Sequence, residues 1–74
     1  MGIDWAQQVR DVKQVILDSI RKATRAERPV ISEKLEAVVY NEFNISPKRT
    51  RLIISSLVNQ DLIFFSKDGG LWAV

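Results

Sequence analysis

The chain has 74 residues, of which 46% are hydrophobic and 27% charged, and its formal net charge is +2 at pH 7. This length permits at most one domain, and the composition is typical of a folded protein rather than a disordered one. Cysteine and histidine are both absent, which excludes disulfides, thiolate or imidazole metal sites, cysteine nucleophiles and a histidine general base. We therefore expect a single domain over residues 1–74, with no metal site and no cofactor.

The N-terminal residues do not have the pattern of a targeting segment. Met1 to Ala6 lack a basic region followed by an apolar stretch, as a signal peptide requires. No apolar run in the chain approaches the ~20 residues that span a bilayer. We expect a cytoplasmic protein with no membrane partner.

The first predicted element is a long amphipathic helix over residues 4–26. Asp4, followed three residues later by Gln7, forms a capping-box pattern. Apolar residues then recur at spacings of three and four, which is the period of one helical face: Trp5, Val9, Val12, Ile16, Ile20 and Ala23. We interpret this stripe as core; the alternative is that Trp5 and the flanking Leu17 contact a second subunit.

A short strand and a second helix are predicted next. Pro29 ends the first helix, and residues 29–31 are long enough only for a short strand. Ser32 is a suitable N-cap for a helix over residues 32–43. The side chains predicted to form its buried side are Leu35, Val38, Val39 and Phe43.

A turn separates this helix from a third one over residues 47–60. Asn44 tolerates the left-handed conformation that ends a helix, and Ser46-Pro47 is typical of an N-cap and first helical position. On a helical wheel one face is inward: Thr50, Ile53, Ile54 and Leu57. The residues that face outward are Lys48, Arg51, Leu52, Ser55, Ser56 and Asn59, with Arg49 at the flank.

The last predicted element is a β-hairpin over residues 62–74. Leu62 to Lys67 are rich in strand-forming residues, Asp68-Gly69-Gly70 is a tight-turn sequence, and Leu71 to Val74 pair back. A lone hairpin is unstable in water, so it must lie on the helices. We expect its aromatic residues, Trp72 with Phe64 or Phe65, to pack there; the alternative is that they stack on single-stranded bases.

This order of elements resembles the winged helix-turn-helix DNA-binding superfamily, over nearly the whole chain. The most specific stretch is 46–63, where Ser46-Pro47, the apolar pattern and the run from Leu57 to Ile63 are similar to a recognition helix and first wing strand. Many members have glycine where Asn44 and Asp61 stand, but both residue types adopt positive φ at modest cost. The resemblance implies an α+β, mostly α, winged-helix fold and assigns no subfamily.

The resemblance also implies a DNA-binding surface, because the third helix of such proteins enters the major groove and the hairpin touches the flanking backbone. The matching positions here are Lys48, Arg49, Arg51, Leu52, Ser55 and Asn59 on the helix and Lys67 at the wing tip. Phosphate contacts are expected from Lys48, Arg49 and Lys67. Base readout is expected from Arg51, Ser55 and Asn59.

The basic cluster at the start of the third helix supports this surface independently of the resemblance. Cations there oppose the helix dipole, at a cost of about 0.3–1 kcal/mol each. A phosphate would reverse this effect, because it attracts both the cations and the free amide groups of a helix N-terminus. The alternative is that Glu36 or Glu42, on the preceding helix, pairs with Arg49 or Arg51.

These observations predict a double-stranded-DNA-binding protein, a small transcriptional regulator that works as a homodimer because one small module contacts little DNA. We expect no enzymatic activity and no catalytic residues, since the chain has neither a histidine base nor a Gly-rich phosphate loop. The alternative function is a winged-helix module that docks on a protein partner. The modest net charge and the apolar Leu52 on the presumed reading face favour that alternative.

Overall fold

A computed structural model describes residues 5–74, with the backbone alone for Trp5. Within these residues the chain forms three helices, α1 (Trp5–Arg25), α2 (Ser32–Phe43) and α3 (Pro47–Asn59), and two strands, β1 (Ile63–Phe65) and β2 (Leu71–Ala73). The strands form one antiparallel sheet. The predicted α+β, mostly helical architecture is therefore confirmed. The predicted Asp4 cap and the Trp5 side chain lie outside the described part.

One face of each helix and one face of the hairpin share a single core. Its centre on α1 is formed by Val12, Ile16 and Ile20, each with no exposed surface. The other elements add the following buried side chains: Leu35 and Val39 from α2, Ile53, Ile54 and Leu57 from α3, and Ile63 and Leu71 from the hairpin. Leu17 also belongs to this core, so little of its side chain is exposed for contact with a second subunit.

The buried side of α2 differs from the prediction. Glu36 is buried and Val38 is 41% exposed, whereas the sequence pattern placed Val38 inside. Phe43 is half-buried against the core, as its position in the apolar pattern indicated. The physical reason is that α2 packs mainly against α3. The side of α2 that is buried is therefore the one with Leu35, Glu36 and Val39.

The helix ends are fixed by local chemistry, with one correction at α2. Ile31, not Ser32, is its N-cap residue, and no side chain caps that end. At α3, by contrast, Ser46 Oγ accepts a hydrogen bond from the Arg49 N–H at 3.3 Å, as the Ser-Pro pattern predicted. Asn44 and Asp61 both have left-handed backbones, with φ of 57° and 59°.

The hairpin is anchored at its second strand. The register pairs Phe64 with Trp72, and β2 also bridges to Val30, whose N–H donates to the Leu71 carbonyl at 3.0 Å. The predicted strand 29–31 is therefore reduced to this single bridge. The Ala73 N–H donates to Thr24 Oγ1 of α1 at 2.9 Å, so the hairpin is tied to both α1 and the α1–α2 connection.

The prediction that the hairpin aromatics pack on the helices is wrong, because none of the three belongs to the core. Phe64 is 46% exposed and Phe65 is 50% exposed, while Trp72 is half-buried. Phe64 and Trp72 form a cross-strand pair on the face opposite the buried Ile63, because side chains alternate along a strand. The helices cover only the other face.

Gly70 supports the hairpin through a close backbone contact, and it gives a testable prediction. A Cβ at this position would lie 2.5 Å from Pro29 Cβ, which belongs to a rigid ring and cannot rotate away. We expect Gly70→Ala to lower the free energy of unfolding by about 1–3 kcal/mol, measured by urea denaturation. In a Pro29→Gly background the same substitution should cost much less. An equal cost in both backgrounds would contradict the steric explanation.

Candidate nucleic-acid interface

The first turn of α3 is held firmly against the core. The carbonyl of Ser46 accepts hydrogen bonds from the Thr50 N–H at 3.0 Å and from Thr50 Oγ1 at 3.2 Å, and Thr50 is fully buried. Pro47 occupies the first turn, which also contains no acidic residue. A rigid, capped helix N-terminus therefore presents Lys48 and Arg49 to solvent.

Six of the seven predicted site residues lie on α3, on or beside its outward face. All six are exposed: Lys48, Arg49, Arg51, Leu52, Ser55 and Asn59. At 3.6 residues per turn, five of them fall within an arc of about 100°, and Arg49 lies beside that arc. The four predicted inward residues are all buried. The helical-wheel assignment of α3 is thus confirmed except at Ser56, which was predicted to face outward and is half-buried.

An ion pair with α2 holds Arg51. Its Nε lies 3.0 Å from Glu36 Oε1, and the same nitrogen is 3.4 Å from the Pro47 carbonyl. The Glu36 side chain is 11% exposed and that of Arg51 is 65% exposed. Of the pairings that the sequence left open, this one is therefore formed. It offsets one positive charge of the cluster while most of the Arg51 side chain stays accessible.

Lys67 lies apart from this cluster, in the turn between β1 and β2. The turn is closed by the Ser66 N–H donating to the Gly70 carbonyl at 2.8 Å and by the Gly69 N–H donating to the Ser66 carbonyl at 3.0 Å. Gly69 has φ of 85°, a conformation that glycine adopts without strain. Lys67 is exposed at the tip, as the hairpin pattern predicted.

Sequence reasoning missed an open groove beside the Arg51–Glu36 pair. It measures about 450 Å³ and is lined by Glu33, Glu36, Ala37, Tyr40, Asn41 and Pro47. Tyr40 is 54% exposed along it. The spacing of Ala37 and Tyr40, one turn apart on α2, was the available signal. The groove is mostly apolar and joins α2 to the start of α3.

Residues 5–74 contain neither a metal-binding cluster nor a membrane-spanning helix. No group of three or more carboxylates in this part of the chain is arranged to hold a metal ion. None of the described helices combines the length and apolar character needed to cross a membrane.

Comparison with known proteins adds no further constraint on the surface of α3. The chain matches no protein-family model, no curated protein and no solved structure.

Proposed function

We propose that the protein is a winged helix that binds double-stranded DNA through α3 and acts as a small transcriptional regulator. The observation that carries the proposal is the capped N-terminus of α3, which presents Lys48 and Arg49 with no acid in its first turn. Two cations beside the positive end of a helix dipole favour phosphate binding. The element order, with Val30 bridged to the hairpin, supports the winged-helix assignment.

In this proposal α3 lies in the major groove, whose width of about 12 Å admits a helix. Lys48 and Arg49 contact phosphates at the groove edge, and Lys67 reaches the flanking backbone. Ser55 and Asn59, one and two turns beyond Arg51, present hydroxyl and amide groups to base edges. Each of these side chains is exposed, so DNA binding requires no rearrangement of the core.

Arg51 has a specific role in this proposal. Because Glu36 contacts its Nε, the two terminal nitrogens of the guanidinium are left to form a bidentate contact with a guanine. Glu36 would also fix the orientation of the side chain before DNA binds. This arrangement places the Glu36 carboxylate close to the DNA. Its ion pair with Arg51 offsets the repulsion from the phosphates.

The direct test is fluorescence anisotropy of a random-sequence duplex of about 30 base pairs, titrated across salt concentrations. We expect micromolar affinity at low salt and a plot of log affinity against log salt with a slope of about −3, since three cations contact phosphate. Absence of binding at low salt would contradict the proposal.

Two alanine variants separate phosphate contacts from base readout. Lys48→Ala should weaken binding to all sequences alike and reduce the salt slope by about one. Arg51→Ala should cost about 1–3 kcal/mol on sites enriched from a random-sequence pool and much less on random duplex. Thermal unfolding is needed as a control, because Arg51→Ala leaves Glu36 without its partner. Equal losses on enriched and random duplexes would refute the base-reading role of Arg51.

A second candidate function is a module that docks on a protein. Leu52 is 66% exposed in the middle of the outward face of α3, and the Arg51–Glu36 pair lowers the positive charge beside it. An exposed leucine next to paired charges is compatible with a protein interface. A substitution at Leu52 distinguishes the two candidates.

A further inference from the structure

An open groove of about 340 Å³ lies where α1 meets the end of α3 and the residue before β1. Its apolar lining consists of leucines: Leu17 and Leu57 are buried and Leu62 is half-buried. Arg10 and Lys13 line it from α1. We name this feature the basic groove and define it by these five residues. None of them belongs to the surface proposed to bind DNA.

The two cations of the basic groove have no counterion. Arg10 and Lys13 are three residues apart on α1, so they are neighbours on its surface and their like charges repel. Neither side chain makes an ion pair or a hydrogen bond with any residue of the described range 5–74. No carboxylate in that range lines the groove. A carboxylate from another molecule would therefore be attracted to this position without displacing an existing partner.

The positive charge of the chain is concentrated on α1. This helix carries five basic and two acidic side chains, a net charge of +3, whereas the whole chain has a net charge of +2. Both carboxylates of α1 accept hydrogen bonds from glutamines on the same helix. Asp11 accepts from Gln7 Nε2 at 3.0 Å. Asp18 accepts from Gln14 Nε2 at 2.8 Å. The helix therefore leaves the cations of the basic groove uncompensated.

We propose that the basic groove binds an acidic, amphipathic segment of a partner protein. One large apolar side chain of the segment covers the leucines, and carboxylates beside it pair with Arg10 and Lys13. An amphipathic helix that places its apolar face in a groove is a common mode of peptide recognition. Complementary charges at the edge of such a contact fix its orientation and speed association. The proposal does not depend on DNA binding.

A protein segment fits the basic groove better than the two other common anionic partners do. A nucleic-acid backbone would contact the cations through its phosphates, but it has no apolar side chain to cover the leucines. A membrane surface requires apolar side chains that enter the lipid, whereas Leu17 is only 8% exposed and lies in a hollow. An acidic amphipathic segment uses both the cations and the leucines.

Selection of displayed random peptides on the full chain tests the proposal, with peptides of about 16 residues, roughly four helical turns. We expect the enriched sequences to place acidic residues within one turn of a large apolar residue. An enriched peptide, labelled with fluorescein, should bind with a Kd in the micromolar range by fluorescence anisotropy. A selection that yields no binding peptide, or only peptides without carboxylates, would overturn the proposal.

Two double variants of equal charge locate the bound peptide. Arg10→Gln/Lys13→Gln should weaken its binding at least about tenfold, and it should fold because it relieves a like-charge repulsion. Lys22→Gln/Arg25→Gln is the matched control: it removes the same charge from the exposed last turn of α1 and should change the affinity by less than about twofold. Thermal unfolding checks both variants. Equal losses in the two variants, or none in the first, would overturn the proposal.

Two further measurements test the apolar contact and the choice of partner. Replacing the large apolar residue of the peptide by serine should weaken binding at least about tenfold; a peptide that tolerates serine would show that charge alone binds it and would overturn the proposal. The two double variants should bind the random duplex equally. A greater loss of duplex affinity in Arg10→Gln/Lys13→Gln would place DNA on the basic groove and overturn the proposal as well.

Discussion

Ile16→Ala is expected to lower the free energy of unfolding by about 2–5 kcal/mol. Ile16 has no exposed surface and lies at the centre of the α1 stripe, one turn from both Val12 and Ile20. The substitution removes three buried carbons and leaves a cavity that the helices cannot close without moving. A domain of this length has a total stability of roughly 4–11 kcal/mol, so the substitution should remove a large fraction of that stability.

Urea denaturation followed by circular dichroism at the helix band measures this loss. Arg21→Ala on the same helix is the control, since Arg21 is exposed and a surface substitution changes stability by about 0.5 kcal/mol or less. A loss below about 1 kcal/mol for Ile16→Ala would contradict the central position of α1 in the core. Because Ile16 touches no proposed ligand, the result bears on the fold alone.

The helix boundaries were predictable because residues with restricted backbones mark them. Pro29 prevents α1 from continuing, and Ser46-Pro47 supplies both a capping hydroxyl and a preset first turn. The second helix has the predicted bounds, and the third ends one residue earlier than predicted. The face of α3 was predictable as well, because its four inward residues recur at spacings of three and four.

The orientation of α2 was less predictable, for a physical reason. Its apolar residues span a wide arc, so the burial of Val38 or of Glu36 depends on which helix packs against it. The packing of α2 against α3 decides this, and the 3.0 Å pair between Glu36 and Arg51 forms where the two helices meet. A helical wheel contains no distances between helices, and the sequence could therefore only offer this pairing as one alternative.

The exposure of the hairpin aromatics could not be predicted from the sequence either. The alternation of side chains along a strand places Ile63 and Phe64 on opposite faces of the hairpin. It does not reveal how far the helices extend beneath the sheet. They cover Ile63 and Leu71 and leave both Phe64 and Phe65 about half exposed. Of the candidate site, the α3 face was predictable from the sequence, whereas the groove beside Tyr40 depends on the packing of α2 against the start of α3.

Leu52→Glu is expected to reduce duplex affinity at low salt by at least about 30-fold while leaving stability within about 0.5 kcal/mol of the wild type. Leu52 is 66% exposed, so its replacement costs little core packing. A carboxylate at this position would face phosphates and base edges if α3 lies in the major groove. Anisotropy with the random duplex and thermal unfolding measure the two quantities.

Leu52→Gln separates charge from lost apolar contact. For a DNA-binding helix, glutamine should keep random-duplex affinity within about threefold of the wild type, since the phosphate contacts that dominate non-specific binding are intact. If glutamate has no more effect than glutamine, Leu52 does not face DNA. If neither variant changes duplex binding but both weaken association with a protein partner equally, the apolar contact itself is required. That pattern would favour the protein-docking function, because a protein interface loses the buried leucine in both variants whereas DNA repels only the glutamate.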